Sequence, residues 1–185
     1  TVDSSMNSVT TGTASDYIDI SNATNAVTVN GGSGIDTVKI GNDSAKAKLV
    51  SIEKIAGTGK LSVAQLDGKT YTLGYKEGVT TENAAITIDK VDSSDLNLSN
   101  LKLTEGTANT FALNGVKGGT ISLIKTDSLG SKTTDTITLD ATANKVTITN
   151  FAGTKDANSD KINFTAVLGD DFSGASNANK ALGAA

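Results

Sequence analysis

The residues best suited to chemistry lie in one short stretch, GGSGIDTVKIG, which runs from Gly31 to Gly41. Its glycines allow a tight turn that aims backbone carbonyl oxygens at one point, and Asp36 adds a carboxylate. Carbonyl and carboxylate oxygens are the ligands that Ca²⁺ prefers. Val38 and Ile40 then alternate with polar residues, which predicts a strand with one buried face. The stretch predicts either a calcium-binding turn or an ordinary glycine-rich turn with a solvated aspartate.

The composition excludes most other site chemistry. The 185-residue chain contains no His, Cys, Pro or Trp, and all 16 of its basic residues are lysines. This excludes Ser-His-Asp and Cys-His nucleophile systems, zinc or copper sites built on imidazole or thiolate, and bidentate arginine clamps. Oxygen-ligated Ca²⁺ or Mg²⁺ remains. The formal net charge of −4 argues against a nucleic-acid partner, and no apolar run is long enough to predict membrane insertion.

We expect no enzymatic activity. Paired carboxylates can hydrolyse glycosides, but a chain with 20 acidic residues brings some of them together by chance. Three tyrosines and four phenylalanines are the only aromatic residues, so the sequence does not predict an aromatic-rich cleft for a sugar.

Short alternating segments recur along the whole chain and predict an all-β fold with little helix. Examples are YIDIS at 17–21, AVTVN at 26–30 and TVKIG at 37–41. Such spacing favours a sandwich, a barrel or a β-solenoid, and the absence of Trp and Pro argues against an immunoglobulin-like sandwich. The stretches GTASDYIDI at 12–20 and GGSGIDTVKI at 31–40 align as Gly, Asp and strand. This alignment predicts a parallel β-solenoid or β-roll with irregular β segments.

Few segments fit a helix. One short helix is predicted after Phe164 and another at 177–182, while 42–56 fits a helix capped by Asp43 or Ser44 as well as a strand. The length allows one sizeable domain. We expect residues 1–185 to form a single β domain whose subdivision, if there is one, lies near 75–85.

The same residues resemble RTX proteins. GGSGIDTVKI matches the nonapeptide GGxGxDxUx, where U is a large apolar residue, and in that family consecutive copies wind into a parallel β-roll with Ca²⁺ between the turns. LVSIEKIAGTG at 49–59 resembles strand segments of RTX-type bacterial surface-layer proteins and large adhesins. The stretch at 135–167, with DTITL, VTITNF and DKINF, resembles the region near the C-terminus of proteins exported by type I secretion.

The resemblance implies Ca²⁺ ligands in the turns that precede strands. In the first turn it assigns the backbone carbonyls of Gly31 and Ser33 and the carboxylate of Asp36. The full set of predicted ligands is Gly12, Asp16, Asp19, Gly31, Ser33, Asp36, Asp135 and Asp160. Asp156 is a further candidate, and each aspartate has a turn-forming role as its alternative. We expect Asp92 and Asp95 to form an Asx-turn and the pair at 170–171 to be solvated.

The resemblance also implies a function and a location. It suggests a structural subunit domain of a calcium-dependent bacterial surface layer, as a C-terminal fragment of a longer protein that type I secretion exports to the cell surface without N-terminal processing. The expected partners are identical copies in a lattice or oligomer, and cell-surface polysaccharide bound through another domain. Two alternatives stay open: a binding module of an RTX adhesin, and the C-terminal calcium-binding export domain of a secreted enzyme.

Overall fold

The computed structural model describes residues 1–2, 5–92, 95–125, 133–153 and 159–168. The predicted fold class is confirmed, because these residues form mostly parallel β-sheets with two four-residue α-helices. The strands are β1 Ser8–Thr10, β2 Tyr17–Asp19, β3 Thr28–Asn30, β4 Thr37–Lys39, β5 Lys48–Val50, β6 Lys54–Lys60, β7 Thr72–Leu73, β8 Tyr75–Glu77, β9 Thr80–Glu82, β10 Ala84–Ile88, β11 Leu96–Asn97, β12 Lys102–Leu103, β13 Thr110–Val116, β14 Gly119–Ser122, β15 Thr134–Leu139, β16 Val146–Thr149 and β17 Lys161–Asn163. The helices are α1 Val63–Leu66 and α2 Thr165–Leu168.

The first half consists of short coils. Strands β1, β3 and β5 form one parallel sheet, and β2, β4 and β6 form a second. Ser8 pairs with Thr28 and Thr28 with Lys48, so each of these coils is 20 residues long. A parallel arrangement follows from this repeat, because equivalent strands of successive coils run in the same direction.

Strand β6 joins the two halves. Its first residues pair with β4 on one side and with β7 on the other, and its later residues, from Gly57 to Lys60, pair with β10. Between β7 and β10 the chain leaves the solenoid and forms an antiparallel hairpin from β8 and β9, in which Tyr75 pairs with Glu82. The hairpin lies in the segment where we expected a subdivision; the single-domain expectation itself stays a prediction.

The second half has longer coils. Strands β10, β13, β15 and β17 continue the main sheet, and β11, β14 and β16 form a separate parallel sheet. Ala85 pairs with Thr110, and Thr136 with Lys161, so these coils are 25 residues long. The extra residues lengthen the loops between strands, which are therefore less tightly stacked than in the first half.

The core is a series of inward-facing columns. Side chains alternate along a strand, and parallel pairing places equivalent inward residues of successive coils in contact. Ile18, Val38 and Ile55 form such a column in the first half, each at most 5% exposed. The matching column of the second half consists of Ile88, Leu113, Ile137 and Ile162. Fully burying one such side chain stabilises the fold by about 1.5–3 kcal/mol.

The segment 42–56 contains neither a long helix nor one strand. It forms a 3₁₀ turn, Ser44–Lys46, and then β5 and the start of β6. The α-helix of this region comes later, at Val63–Leu66, where alternation in KLSV predicted a strand. Gln65 connects helix and turn, since its amide nitrogen donates to the carbonyls of Ser44 (2.9 Å) and Ala47 (2.6 Å).

The short helix expected after Phe164 is confirmed as α2. The helix expected at 177–182 lies outside the described residues. Among the helices of the described part, none has the length and apolar character needed to span a membrane.

Candidate functional site

Two strands begin with the same pattern and place an aspartate in the interior. DTVKI at 36–40 and DTITL at 135–139 both have an acid two residues before a buried aliphatic side chain. Because side chains alternate, the acid faces the same side as that aliphatic residue. Asp36 is 0% exposed and Asp135 is 1% exposed. Burying a carboxylate is costly unless hydrogen bonds or charges compensate, so each position needs a physical explanation.

Asp36 is the centre of an N-terminal carboxylate stack, formed by Asp16, Asp36 and Glu53 in three successive coils. Oδ1 of Asp36 accepts a hydrogen bond from the backbone N–H of Asp16, at 2.8 Å. The backbone N–H of Asp36 in turn donates to Oε2 of Glu53, also at 2.8 Å. Each acid thus binds the backbone of the coil before it, and this holds the coils in register.

The second oxygen of Asp36, Oδ2, is buried and has no hydrogen-bond partner in the described structure. It lies against Gly31: a Cβ at that glycine would be 2.6 Å from Oδ2 and 2.3 Å from the Ser51 carbonyl oxygen. Gly32 (φ 84°) approaches the preceding coil in the same way, because its Cβ would be 2.1 Å from the Gly12 carbonyl oxygen. Coil packing therefore requires these glycines whether or not an ion binds.

The predicted backbone ligands of this turn already accept hydrogen bonds. The Gly31 carbonyl accepts from the Thr11 hydroxyl at 2.6 Å, and the Gly12 carbonyl accepts from the Ser33 backbone N–H at 3.0 Å. A carbonyl oxygen has two lone pairs, so each keeps one. The described residues contain no group of three acidic side chains placed to hold a metal ion. The feature that fits a cation is the unpartnered oxygen of Asp36, with Asp16 beside it.

Asp19 lies apart from this stack. Its Oδ1 accepts hydrogen bonds from the backbone N–H (2.9 Å) and hydroxyl (2.6 Å) of Ser21, which is a local turn. Partial burial raises its pKa, but these two hydrogen bonds and the Lys39 ammonium outweigh it, and the pKa is lowered overall. The structure thus gives Asp19 the turn-forming role that was its alternative.

Asp135 and Asp160 form a C-terminal carboxylate stack. Oδ1 of Asp160 accepts from the backbone N–H of Asp135 at 3.1 Å, and its Oδ2 accepts from the backbone N–H of Ala152 at 2.7 Å. Oδ2 of Asp135 accepts from the Thr133 hydroxyl at 3.1 Å. Oδ1 of Asp135 is buried and, in the described structure, has no partner. This stack repeats the geometry of the first one around a different central residue.

The Asp135 carboxyl occupies a position that earlier coils fill with apolar side chains. Its register partner in the preceding coil is Phe111, and the partner of Phe111 is Ile86. Burial, and then the negative charge of Asp160, raise the pKa of Asp135 to about 7, although hydrogen bonds from Thr133 and from the Phe111 backbone act in the opposite direction. This carboxyl is therefore partly protonated near neutral pH.

The structure brings together two of the predicted pairs, Asp16 with Asp36 and Asp135 with Asp160. Asp92 and Asp95 do not form the expected Asx-turn with each other: Asp92 faces Lys117 at 3.5 Å, and Asp95 accepts from the Thr120 backbone N–H at 2.7 Å. Asp156 and the pair at 170–171 lie outside the described residues.

Two features escaped the sequence analysis. Glu53 completes the first stack, and the pattern E-K-I-A at 53–56 could have revealed it, since it aligns with D-T-V-K at 36–39. The second feature is a contact between Tyr17 and Tyr75, whose ring centroids are 4.9 Å apart. No sequence signal could join these two residues, because only the folding of the hairpin over the sheet brings them together.

Comparisons with protein-family models, with curated proteins and with solved structures found no match for this chain.

Proposed function

We propose that this chain is a structural domain of a calcium-dependent bacterial surface layer, in which solenoid domains assemble side by side with identical copies at the cell surface. The observation that supports it most is the pair of buried, unpartnered carboxylate oxygens, one at Asp36 and one at Asp135. A buried acceptor without a partner costs about 1–3 kcal/mol. A bound cation would remove that cost, and oxygen-rich turns favour Ca²⁺.

In this proposal Ca²⁺ stabilises the corners of the coils. In the first half, the carboxylates of Asp36 and Asp16 would hold the ion with free lone pairs of the Gly31, Ser33 and Gly12 carbonyls. In the second half, Asp135 and Asp160 would hold it. When bound, the ion supplies positive charge that compensates neighbouring carboxylates. A weak extracellular site adds on the order of 1 kcal/mol at millimolar Ca²⁺, so several sites would act together.

Export and assembly complete the proposal. A protein without cysteine cannot use disulfides for stability outside the cell, and a metal can serve instead. The sequence resemblance to type I-secreted proteins suggests export by that route. The outer face shows Thr, Lys and Ser side chains between the buried columns, which suits many weak polar contacts between copies. Cell-surface polysaccharide would be bound through another domain of the parent protein.

A second candidate function is a binding module of an adhesin. The observation that favours it is the groove beside Tyr17 and Tyr75, which has a rigid aromatic wall and is open to solvent.

Thermal melts of the wild type, Asp36→Asn and Asp135→Asn, each in EDTA and in millimolar Ca²⁺, test the calcium proposal. Ca²⁺ should raise the melting temperature of the wild type, and by less in each variant, because the substitution removes a charged ligand. Sedimentation velocity under the same two conditions tests assembly, and larger species should form with Ca²⁺.

Asp43→Asn is the matched control, since Asp43 is an exposed aspartate that pairs with Lys46 at 2.6 Å. It should respond to Ca²⁺ as the wild type does. If neither the wild type nor any variant gains stability from Ca²⁺, the two buried carboxylates are not calcium ligands and the calcium-dependent function is wrong.

A further inference from the structure

The outer face of the first half carries a groove that the solenoid alone would not form. Hairpin β8–β9 leaves the coil repeat and folds against this face. The ring of Tyr75 then packs edge-to-face on the ring of Tyr17, at an interplanar angle of 60°. Between hairpin and sheet lies a space of about 310 Å³. We call it the tyrosine groove and define it by Ser15, Asp16, Tyr17, Ile35, Thr37, Lys54 and the residues of β8.

The hairpin is fixed in place by polar contacts. The Tyr17 hydroxyl donates to Glu82, and Glu82 also pairs with the Lys39 ammonium at 2.9 Å. The Tyr75 hydroxyl donates to Glu77. Both rings are therefore held by their hydroxyl ends, and a ligand in the groove would meet ring surface. Tyr17 remains 41% exposed, so its ring is accessible.

The other walls of the groove combine apolar and polar groups. Ile35 is 54% exposed, which is unusual for an isoleucine. Thr37 lies beneath it as a buried floor, at 2% exposed. Asp16 and Glu77 are opposed by Lys54 and Lys76, so the charges lining the groove balance. A ligand with a strong net charge of either sign would gain little here, and a purely apolar ligand would desolvate several charged groups.

From these features we propose that the tyrosine groove binds a neutral saccharide. A sugar ring has a face of C–H groups, which packs on an aromatic ring or on Ile35, and a rim of hydroxyls, which can donate to carboxylates and accept from ammonium groups. The volume is at the lower limit of small-molecule sites, so it suits about two sugar rings. This activity is separate from the structural role proposed above, and it belongs to this chain itself.

Tyrosine fluorescence gives a direct test. The chain has three tyrosines and no tryptophan, and two of the three lie at the groove. An array of neutral and charged oligosaccharides selects the ligands, and cellotriose, chitotriose and maltotriose are then titrated into the wild-type protein. A saturable fluorescence change is expected with at least one neutral oligosaccharide. Choline and inorganic phosphate, the cationic and anionic probes, should give none.

Variants locate the site. Calorimetry should show about tenfold weaker binding for Tyr17→Ala and for Ile35→Ser, a loss of about 1.4 kcal/mol. Both residues are exposed, and circular dichroism confirms that the variants are folded. Phe151→Ala is the matched control, because Phe151 is 40% exposed and lies outside the groove; it should bind as the wild type does.

Three results would overturn the saccharide proposal: no neutral oligosaccharide binds, binding is unchanged in both groove variants, or choline or phosphate binds in place of the sugars. The calcium melts are independent of this test, so one proposal can fail while the other holds.

Discussion

The two halves of the molecule contain the same local sequence in different surroundings. DTVKI at 36–40 and DTITL at 135–139 each start a strand with a buried aspartate. In the first half the neighbouring coils place Asp16 and Glu53 at the equivalent position, and in the second half the preceding coil places Phe111 there. The residue stacked above the carboxyl, and not the local sequence, therefore determines its environment.

Coil length is the second difference. Coils of 20 residues leave little space between turns, and several glycines in the first half approach the preceding backbone more closely than any Cβ could. Coils of 25 residues relax this constraint, and Gly115 of β13 would bring a Cβ to an ordinary 3.5 Å from the Asp89 carbonyl. The first half is thus specified by backbone contact, and the second by side-chain packing.

The largest expected effect is a pH dependence that arises only in the second half. The folded-state pKa of Asp135, about 7, lies above the ordinary value of 3.8, so the protonated form is favoured by folding. Its contribution to stability is complete below about pH 4 and is lost as pH rises through 7. In EDTA, the free energy of unfolding should fall by up to about 4 kcal/mol between pH 4 and pH 8, as measured by urea denaturation.

Asp135→Asn isolates this effect, since an amide has nearly the same shape and does not titrate. The variant should lose most of the pH dependence and be more stable than the wild type at pH 8. Asp36→Asn should leave the decline with pH in place. If both variants keep the wild-type pH profile, Asp135 does not titrate in this range and the contrast between the two stacks is wrong.

The next effect tests the coil spacing. Gly32→Ala introduces a Cβ at 2.1 Å from a backbone oxygen in a positive-φ residue, whereas Gly115→Ala meets no close atom at φ 63°. We expect a loss of roughly 3 kcal/mol for Gly32→Ala and roughly 1 kcal/mol for Gly115→Ala. Both values can be measured by urea denaturation.

Gly68→Ala is the control for backbone strain alone, because Gly68 has φ 66° and nothing within 4 Å of its Cβ position. It should resemble Gly115→Ala. Equal losses for Gly32→Ala and Gly68→Ala would mean that the first-half coils can separate at little cost, and that their glycines serve the turn conformation only.

Much of the fold could be predicted because its information is local. Alternation of apolar residues places Val38 and Ile137 inward, and the repeat of Gly, Asp and strand predicts parallel coils. The coil lengths could not be derived in this way, since loops of different length fit the same strands. The hairpin β8–β9 was also missed, because Tyr75 and Lys76 continue the alternating pattern of the preceding segment while the chain leaves the solenoid.

The candidate site was predictable only in part. The aspartates that begin strands could be identified, since an acid two residues before an aliphatic side chain is visible in sequence. Which carboxyl lacks a partner depends on neighbouring coils: Asp160 satisfies both of its oxygens, whereas Asp36 and Asp135 each leave one unpaired. The tyrosine groove depends on a contact across 58 positions, between residues 17 and 75, and no local pattern carries that information.

The smallest effect concerns the hairpin, which only the junction between the two halves possesses. Glu82→Gln weakens the hydrogen bond from Tyr17 and removes the ion pair with Lys39. Because this pair is partly exposed, the expected loss is about 1 kcal/mol. Hydrogen exchange should accelerate at 75–82 and stay unchanged in β13 and β15, since the hairpin lies outside the stacked columns. Asp89→Asn removes the more exposed pair with Lys60 and should leave exchange at 75–82 unchanged. Faster exchange throughout the chain in Glu82→Gln would show instead that the hairpin is part of the cooperative solenoid and that it couples the short coils to the long ones.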